Sequence, residues 1–235
     1  NSAGLDMANE HRLASLSSAL LSSAAHPYLA EPMIDGEAGT GELHDVLNPA
    51  VPGDRVGQVR EATEQEVSVA LDAAVNSGPI WFATPPQERA AILERAAQIM
   101  EGQMQKLMGI LVREAGKTYN NAIAEVREAV DFLYYYAGMV RDDFDNETHR
   151  PLGPVVCISP WNFPLAIFTG QIAAALAAGN SVLAKPAEQT PLIAAQAVQI
   201  LLDAGVPPGV LQLLPGQGET VGAQLTGDNR VRGVM

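Results

Sequence analysis

Residues 153–164 (GPVVCISPWNFP) and residues 183–191 (LAKPAEQTP) decide the fold of this chain. Each stretch runs from an apolar segment into polar residues: Asn162 follows the first segment, and Lys185 and Glu188 follow the second. If both apolar segments are parallel strands, their carboxyl ends meet at one edge of a sheet, where open α/β sheets bind ligands. The sequence therefore predicts that these three polar side chains face a common groove.

The alternation of apolar runs and helical patterns extends to the end of the sequence. Short apolar runs occupy residues 155–158, 181–184, 211–214 and 231–235. Helical segments are predicted between them at residues 164–178, 190–204 and 219–225. Apolar strands that alternate with helices favour parallel pairing through right-handed crossovers. We therefore predict the α/β class, with a doubly wound parallel sheet in a domain that spans residues 47–235.

The residues that precede this domain have a different character. Residues 1–46 mix small, acidic, Pro and Gly residues without a sustained period, which indicates a linker or wrapping segment with one short helix near residues 11–22. A short alternating strand is predicted at residues 55–59. Thr63 and Glu66 then have the Thr-x-x-Glu spacing of a capping box, which predicts that the next helix begins there.

Two long helical patterns come between that helix and the first apolar strand. Apolar residues recur at helical spacing over residues 84–116 and again over residues 118–138. Gly116 and Gly138 are suitable ends for the two patterns. The Met and Tyr residues on these faces are interpreted as core residues, because the helical period accounts for them fully.

Composition and charge exclude several classes of function. The 235 residues are 47% hydrophobic and 17% charged, which is typical of a globular chain. With 14 basic and 27 acidic residues, the net charge of −13 disfavours binding to nucleic acid. No apolar run is long enough for a transmembrane helix and no signal peptide is recognisable, so a cytoplasmic location is expected. One Cys and four scattered His residues predict neither a disulfide nor a metal site.

The polar residues at the predicted strand ends each have two interpretations from chemistry alone. Asn162 can cap the following helix, or its amide can donate a hydrogen bond to an oxyanion formed when a carbonyl is attacked. Lys185 can be an exposed strand end, or its ammonium can bind two neighbouring ribose hydroxyls. Glu188 can be a solvated acid, or it can accept from a ribose 2′-hydroxyl and repel a 2′-phosphate.

Two further features have weaker chemical meaning. Residues 215–222 (PGQGETVG) form a Gly-x-Gly-x-x-x-Gly turn, one residue longer than the usual dinucleotide fingerprint. Cys157, the only thiol, lies inside an apolar strand without a neighbouring His or helix N-terminus in the sequence pattern, so it is interpreted as a packing residue rather than a nucleophile.

Taken together, these motifs resemble the aldehyde dehydrogenase superfamily, and residues 158–164 match its signature without departure. The resemblance implies an aldehyde dehydrogenase-like, Rossmann-type NAD-binding domain that is incomplete and is preceded by a helical and linker region. It assigns the oxyanion to Asn162, the aldehyde tunnel to Phe163 and NAD, in preference to NADP, as the cofactor. The cofactor-binding residues that it implies are Ile158, Ser159, Pro160, Trp161, Lys185, Pro186, Ala187, Glu188, Gly218, Val221 and Gly222.

Within the superfamily, residues 113–118 and 124–137 look like the glutamate γ-semialdehyde (Δ1-pyrroline-5-carboxylate) dehydrogenase branch. This branch oxidises L-glutamate γ-semialdehyde to glutamate in proline catabolism and implies that Glu114 contacts the aldehyde substrate. Residues 1–6, 26–29 and 33–36 resemble the inter-domain region of bifunctional members, in which a flavin-dependent proline dehydrogenase comes first. FAD is implied only if such a domain precedes this segment.

The resemblance also implies features that this chain would need from elsewhere. The catalytic Cys and the general-base Glu of the family are expected beyond Met235, so the isolated chain is expected to be inactive. Residues 141–152 are expected to begin a β-hairpin used for assembly into a homo-oligomer. Two alternatives remain at this point: a noncatalytic nucleotide-binding or assembly module, and a dehydrogenase specific for a different semialdehyde.

Overall fold

A computed structural model describes residues 2–35 and 39–235 of the chain. Its helices are α1 (Glu10–Ala25), α2 (Glu64–Ala83), α3 (Pro86–Gly102), α4 (Met104–Glu114), α5 (Tyr119–Asp143), α6 (Ala166–Ala177), α7 (Pro191–Asp203) and α8 (Ala223–Gly227), with a π-helical turn at Gly218–Gly222. Its strands are β1 (Tyr28–Ala30), β2 (Leu43–Asn48), β3 (Val51–Arg60), β4 (Val155–Ile158), β5 (Val182–Lys185), β6 (Leu211–Leu213) and β7 (Gly233–Val234).

Four strands form a parallel sheet in the order β6-β5-β4-β7. Ile158, the last residue of β4, lies opposite Lys185, the last residue of β5, so the two strands end level with each other. Helices α6 and α7 connect successive parallel strands, as the alternation of apolar runs predicted. The predicted α/β class and its parallel sheet are thus confirmed.

Alternate residues of the central strands face two separate cores. Cys157 and Ala184 belong to the larger core, with α3 and α5 to α7. Val156 and Leu183 belong to the smaller core, together with residues of α2. Because side chains of a strand alternate between its faces, helices on both sides are needed to bury these wholly apolar strands.

The helix predicted over residues 84–116 is two helices, and the prediction of a continuous helix was wrong. Helix α3 ends at Gly102 and α4 begins at Met104. Gln103 between them has φ −98° and ψ 11°, outside the helical region, while its backbone N–H still bonds the carbonyls of Ile99 and Met100. The apolar period continues through this break because both helices bury residues in the same core.

The first 46 residues contain regular structure that their composition did not indicate. Strands β1 and β2 pair with the two sides of β3 to form a separate three-stranded sheet. The backbone of Met33 exchanges hydrogen bonds with Leu213 of β6, at 3.0 and 3.2 Å. This segment therefore covers the outer edge of the parallel sheet, and the division of the chain at residue 46 stays a prediction.

The region after α5 is irregular where an assembly hairpin was expected to begin. Phe144 ends the helix, and the described residues 144–152 form turns without a strand. The hairpin and the homo-oligomer therefore stay predictions. Within residues 2–35 and 39–235, no helix is both long and apolar enough to cross a membrane.

Candidate functional site

The loop that follows β4 presents three exposed side chains at the carboxyl edge of the sheet. Trp161, Asn162 and Phe163 are exposed, and all three lie before α6, which begins at Ala166. Asn162 does not cap α6, because the residue that precedes the helix is Leu165. The capping interpretation of Asn162 is therefore wrong, and no described residue hydrogen-bonds its side-chain amide.

The other residues predicted around this loop lie deeper. Ser159 is buried, its backbone N–H donates to the Lys185 carbonyl at 3.3 Å, and its hydroxyl has no hydrogen-bond partner among the described residues. Ile158 and Pro160 are half-buried. The carbonyl of Ile158 accepts a hydrogen bond from the Gln171 side chain at 3.3 Å, which ties the end of β4 to α6.

Lys185 and Glu188 form a pair at the end of β5. The Lys185 side chain is 3% exposed, and its Nζ lies 3.0 Å from the Pro186 carbonyl and 3.4 Å from Glu188 Oε2. Glu188 is 43% exposed, and a hydrogen bond from its own backbone N–H together with the charge of Lys185 lowers the pKa of its carboxyl. The interpretation of Lys185 as an exposed strand end is therefore wrong, because its side chain is buried. Glu188 is the exposed member of the pair.

The Gly-rich turn after β6 lies against this pair. Gly216 has φ 155°, and a Cβ there would collide with Val221, so the turn requires glycine at this position. A Cβ on Gly222 would lie 3.7 Å from Cε of Lys185. At Gly218 a Cβ would meet no atom within 4 Å, so the backbone there is open to an approaching ligand.

A cleft of about 510 Å³ joins several of these loops to the three-stranded sheet. Its lining includes Trp161 and Glu188 from the segments that follow β4 and β5, Glu114 at the end of α4, and Val46 and Leu47 of β2. The structure therefore brings three predicted site residues to one cleft. Asn162, Lys185 and Gly218 are not among its lining residues, although Asn162 directly follows Trp161 in the chain and Lys185 contacts Glu188.

Glu114, the last residue of α4, is buried and caps the start of α7. It is 3% exposed, and its two carboxyl oxygens accept from the backbone N–H groups of Leu192 (2.6 Å) and Ile193 (2.9 Å) at the start of α7. Burial raises the pKa of Glu114 to about 8, while these two hydrogen bonds act in the opposite direction. Its predicted contact with the aldehyde substrate stays a prediction.

Sequence reasoning missed a second carboxylate with the same arrangement. Glu125 of α5 is 2% exposed, and its Oε2 accepts from the backbone N–H groups of Leu165 (3.2 Å) and Ala166 (2.9 Å) at the start of α6. Its Oε1 lies 3.1 Å from Nζ of Lys117. The sequence did contain a signal for its burial. Glu125 lies on the apolar face of the helical pattern, among Ala122, Val126 and Ala129.

The opposite ends of the same two helices are held by arginines of α3. Arg89 is fully buried, and its Nε donates to the carbonyl of Ala177, the last residue of α6, at 3.0 Å. Arg95 is exposed, and its Nε donates to the carbonyl of Ala204, just after α7, at 3.0 Å. Carboxyl oxygens thus accept the free N–H groups at the start of each helix, and a guanidinium donates to a carbonyl at the end of each, where a cation matches the helix dipole.

The buried carboxyl of Glu114 predicts a dependence of stability on pH. Its pKa of about 8 in the folded protein lies above its ordinary value of 4.5, so the folded state retains the proton more strongly. This contribution is complete below pH 4.5 and is lost as the pH rises through about 8, by roughly 5 kcal/mol in total. Urea unfolding at several pH values measures it. Glu114→Gln removes the titrating group. The prediction would be contradicted if the free energies of unfolding of the parent and the variant differed by the same amount at every pH from 5 to 8.

Cys157 is packed as expected for a residue without a role in catalysis. It lies in the middle of β4 with no exposed surface. Burial raises the pKa of its thiol to about 12, so the thiolate is not formed near neutral pH. The one thiol of this sequence therefore does not act as a nucleophile.

Comparison of the sequence with known proteins identifies its family and its relatives. A sequence model of the aldehyde dehydrogenase family matches residues 36–235. The bifunctional protein PutA of Klebsiella aerogenes is 79% identical over 235 residues, which are all of this chain and 18% of the length of that relative. The 1-pyrroline-5-carboxylate dehydrogenase of Bacillus thuringiensis (strain Al Hakam) is 39% identical over 213 residues, covering 85% of this chain and 41% of that protein.

Solved structures agree with these sequence relatives. A 1-pyrroline-5-carboxylate dehydrogenase from Thermus with bound NAD has a TM-score of 0.93 and 35% identity, over all of this chain and 48% of its own. Proline utilization A (PutA) from Bdellovibrio bacteriovorus has a TM-score of 0.92 and 32% identity, over all of this chain and 26% of its own.

Proposed function

Because the chain belongs to the aldehyde dehydrogenase family, we propose that it forms the NAD-binding part of an enzyme that oxidises L-glutamate γ-semialdehyde to glutamate in proline catabolism. The observation that carries this proposal is the pair of Lys185 and Glu188 beneath an open Gly-rich turn at the carboxyl edge of a parallel sheet. Ligands of doubly wound sheets bind at this edge. The names of the relatives, which include a 1-pyrroline-5-carboxylate dehydrogenase, support the choice of substrate.

The residues present fit a dinucleotide. The ammonium of Lys185 has three donors, and its contacts with Pro186 and Glu188 leave one for a ribose hydroxyl. The Glu188 carboxylate accepts a hydrogen bond from the 2′-hydroxyl, and its negative charge repels a 2′-phosphate. Open backbone at Gly218 allows close approach by the phosphates. These groups bind and orient the adenosine half of NAD. The nicotinamide half of the bound cofactor would supply the hydride acceptor.

Asn162 is the residue of this chain that we assign to the reacting carbonyl. Its amide is exposed and is not hydrogen-bonded by another described residue, so it is available to an oxyanion. A preorganised donor of this kind stabilises the charge that develops when a nucleophile attacks the aldehyde. Phe163 beside it is 41% exposed and offers an apolar wall for the aldehyde chain.

The nucleophile is not supplied by the 235 residues themselves. Cys157 is inaccessible and remains a thiol, so we propose that a Cys thiolate and a general-base Glu come from another part of the intact protein. This chain in isolation therefore produces no NADH from NAD and the semialdehyde. The intact protein is the appropriate subject for kinetic experiments.

Cofactor preference tests the proposed function. We expect the intact enzyme to use NAD with a kcat/KM about 100-fold above that for NADP, because Glu188 repels the 2′-phosphate. Replacing Glu188 with Gln removes that repulsion and is expected to raise kcat/KM for NADP about tenfold. Initial rates of reduced-cofactor formation with NAD and with NADP measure the cofactor preference. The same assay with several semialdehydes measures the preference for the aldehyde.

A matched control is available for this comparison. Glu128→Gln removes the same charge from an exposed position on α5, and it should leave both kcat/KM values unchanged. A natural preference for NADP would overturn the assignment of Glu188. Equal rates with unrelated semialdehydes would overturn the assigned substrate, and no oxidation of any aldehyde by the intact protein would favour a noncatalytic nucleotide-binding module.

A further inference from the structure

The loop that carries Asn162 is attached to the rest of the protein through one side chain. Nζ of Lys117 donates to the backbone carbonyl of Asn162 at 2.6 Å. The same ammonium lies 4.7 Å from the centre of the Phe163 ring, a distance suited to a cation–π contact. Among the described residues, no other hydrogen bond links residues 160–164 to a different element of the fold.

Lys117 is itself held by a buried partner. Its side chain is 13% exposed, and its Nζ lies 3.1 Å from Oε1 of Glu125, whose side chain is 2% exposed. The second oxygen of Glu125 accepts the backbone N–H groups of Leu165 and Ala166. One ion pair therefore fixes both the middle of the loop and the start of α6.

The position of Lys117 in the chain makes this attachment rigid. It lies between α4 and α5, directly after Gly116, whose φ of 65° turns the backbone at the end of α4. Thr118 then caps α5, accepting the Asn121 N–H at 3.3 Å. The ammonium is thus presented from a short connection with both flanking helices anchored in the core.

We propose that Lys117 is a positioning residue that places the amide of Asn162 for oxyanion binding. The proposal rests on the proposed function of Asn162. Lys117 does not touch the reacting atoms; it acts through the backbone carbonyl of Asn162 and the ring of Phe163. Small displacements of a catalytic group reduce the rate strongly, whereas the cofactor pair at Lys185 and Glu188 is untouched.

The test uses kinetics of the full-length dehydrogenase that contains these residues. Lys117→Met is expected to lower kcat by about tenfold or more with the KM for NAD within about twofold of the parent value. Lys117→Arg retains the charge and an N–H donor, and it is expected to restore most of kcat. Lys106→Met is the control, because Lys106 of α4 donates to the side chain of Gln196 in α7 at 2.7 Å and does not contact the loop.

A double-mutant cycle separates positioning from a general structural effect. In an Asn162→Ala background, Lys117→Met is expected to change kcat by less than about twofold, because the amide that it positions is absent. An equal loss of kcat in both backgrounds would overturn the proposal, as would a parental kcat for Lys117→Met. If Lys117→Met does not fold, Lys117→Leu, which also removes the donor to the Asn162 carbonyl, takes its place in the cycle with the same expectations.

The outcomes also distinguish this inference from the function on which it rests. If Asn162→Ala alone retains the parental kcat, the oxyanion role of Asn162 fails and the inference fails with it. If Asn162→Ala is impaired and Lys117→Met is not, only the positioning role fails.

Discussion

Asn162→Ala is expected to lower kcat of the intact enzyme by about 100- to 1000-fold, the loss associated with removing one preorganised oxyanion donor. The amide of Asn162 makes no contact that holds the described fold together, so the substitution should leave the unfolding midpoint in urea unchanged. The backbone carbonyl that receives Lys117 is retained in the variant. Single-turnover measurement of NADH formation reports the chemical step directly.

The control for this substitution is an asparagine with comparable exposure. Asn120 lies in the first turn of α5 and is exposed, so Asn120→Ala should leave kcat unaltered. An effect on the KM for NAD alone, with kcat preserved, would show that Asn162 contributes to cofactor binding rather than to oxyanion stabilisation.

Arg89→Met is expected to destabilise the protein by about 3–5 kcal/mol, since it removes a charged donor and leaves a helix-end carbonyl unsatisfied in the core. Arg89 has no exposed surface and donates to the carbonyls of Ala177, Phe82 and Thr84. The amide of Asn146 also donates to Phe82 and Thr84, so Ala177 is the carbonyl that loses its side-chain partner. Urea-induced unfolding of the parent and the variant measures the change.

The neighbouring arginine provides a matched comparison in the same helix. Arg95 makes the same Nε contact to a carbonyl at the end of α7, with the same 3.0 Å distance, but its side chain is exposed. The Arg95 guanidinium is solvated in either case, so less desolvation is at stake than for Arg89, and Arg95→Met is expected to destabilise the protein less than Arg89→Met, by about 1 kcal/mol. Equal destabilisation by the two substitutions would show that burial does not determine the contribution of Arg89.

Local sequence patterns predicted the parts of the structure that depend on neighbours in sequence. The apolar runs that became β4 and β5 are buried on both faces, which a parallel sheet requires. The capping box of Thr63 and Glu66 is formed in both directions, with Thr63 N–H to Glu66 Oε2 at 2.7 Å and Glu66 N–H to Thr63 Oγ1 at 3.3 Å. These features depend on periodicity and spacing, which a single sequence displays.

The features that were missed depend on partners far away in the chain. Glu114 is a cap for backbone groups 78 residues later, so neither its burial nor its raised pKa was visible locally. Strand β1 pairs with β3 across an intervening segment, and its three residues are too few to show a period. The contact of Lys117 with Asn162 spans 45 residues and is made to a backbone carbonyl. Every residue has such a carbonyl, so the sequence does not indicate which one is bound.

The bond between Met33 and Leu213 has a consequence for how the sheet can associate. Exposed strand edges are templates for unwanted pairing between molecules, and natural proteins protect them. Here the N-terminal segment covers the free edge of β6, because the backbone N–H and carbonyl of Met33 both bond Leu213. Enlargement of the sheet, whether by further polypeptide or by an aggregating copy, is thereby directed to the side of β7.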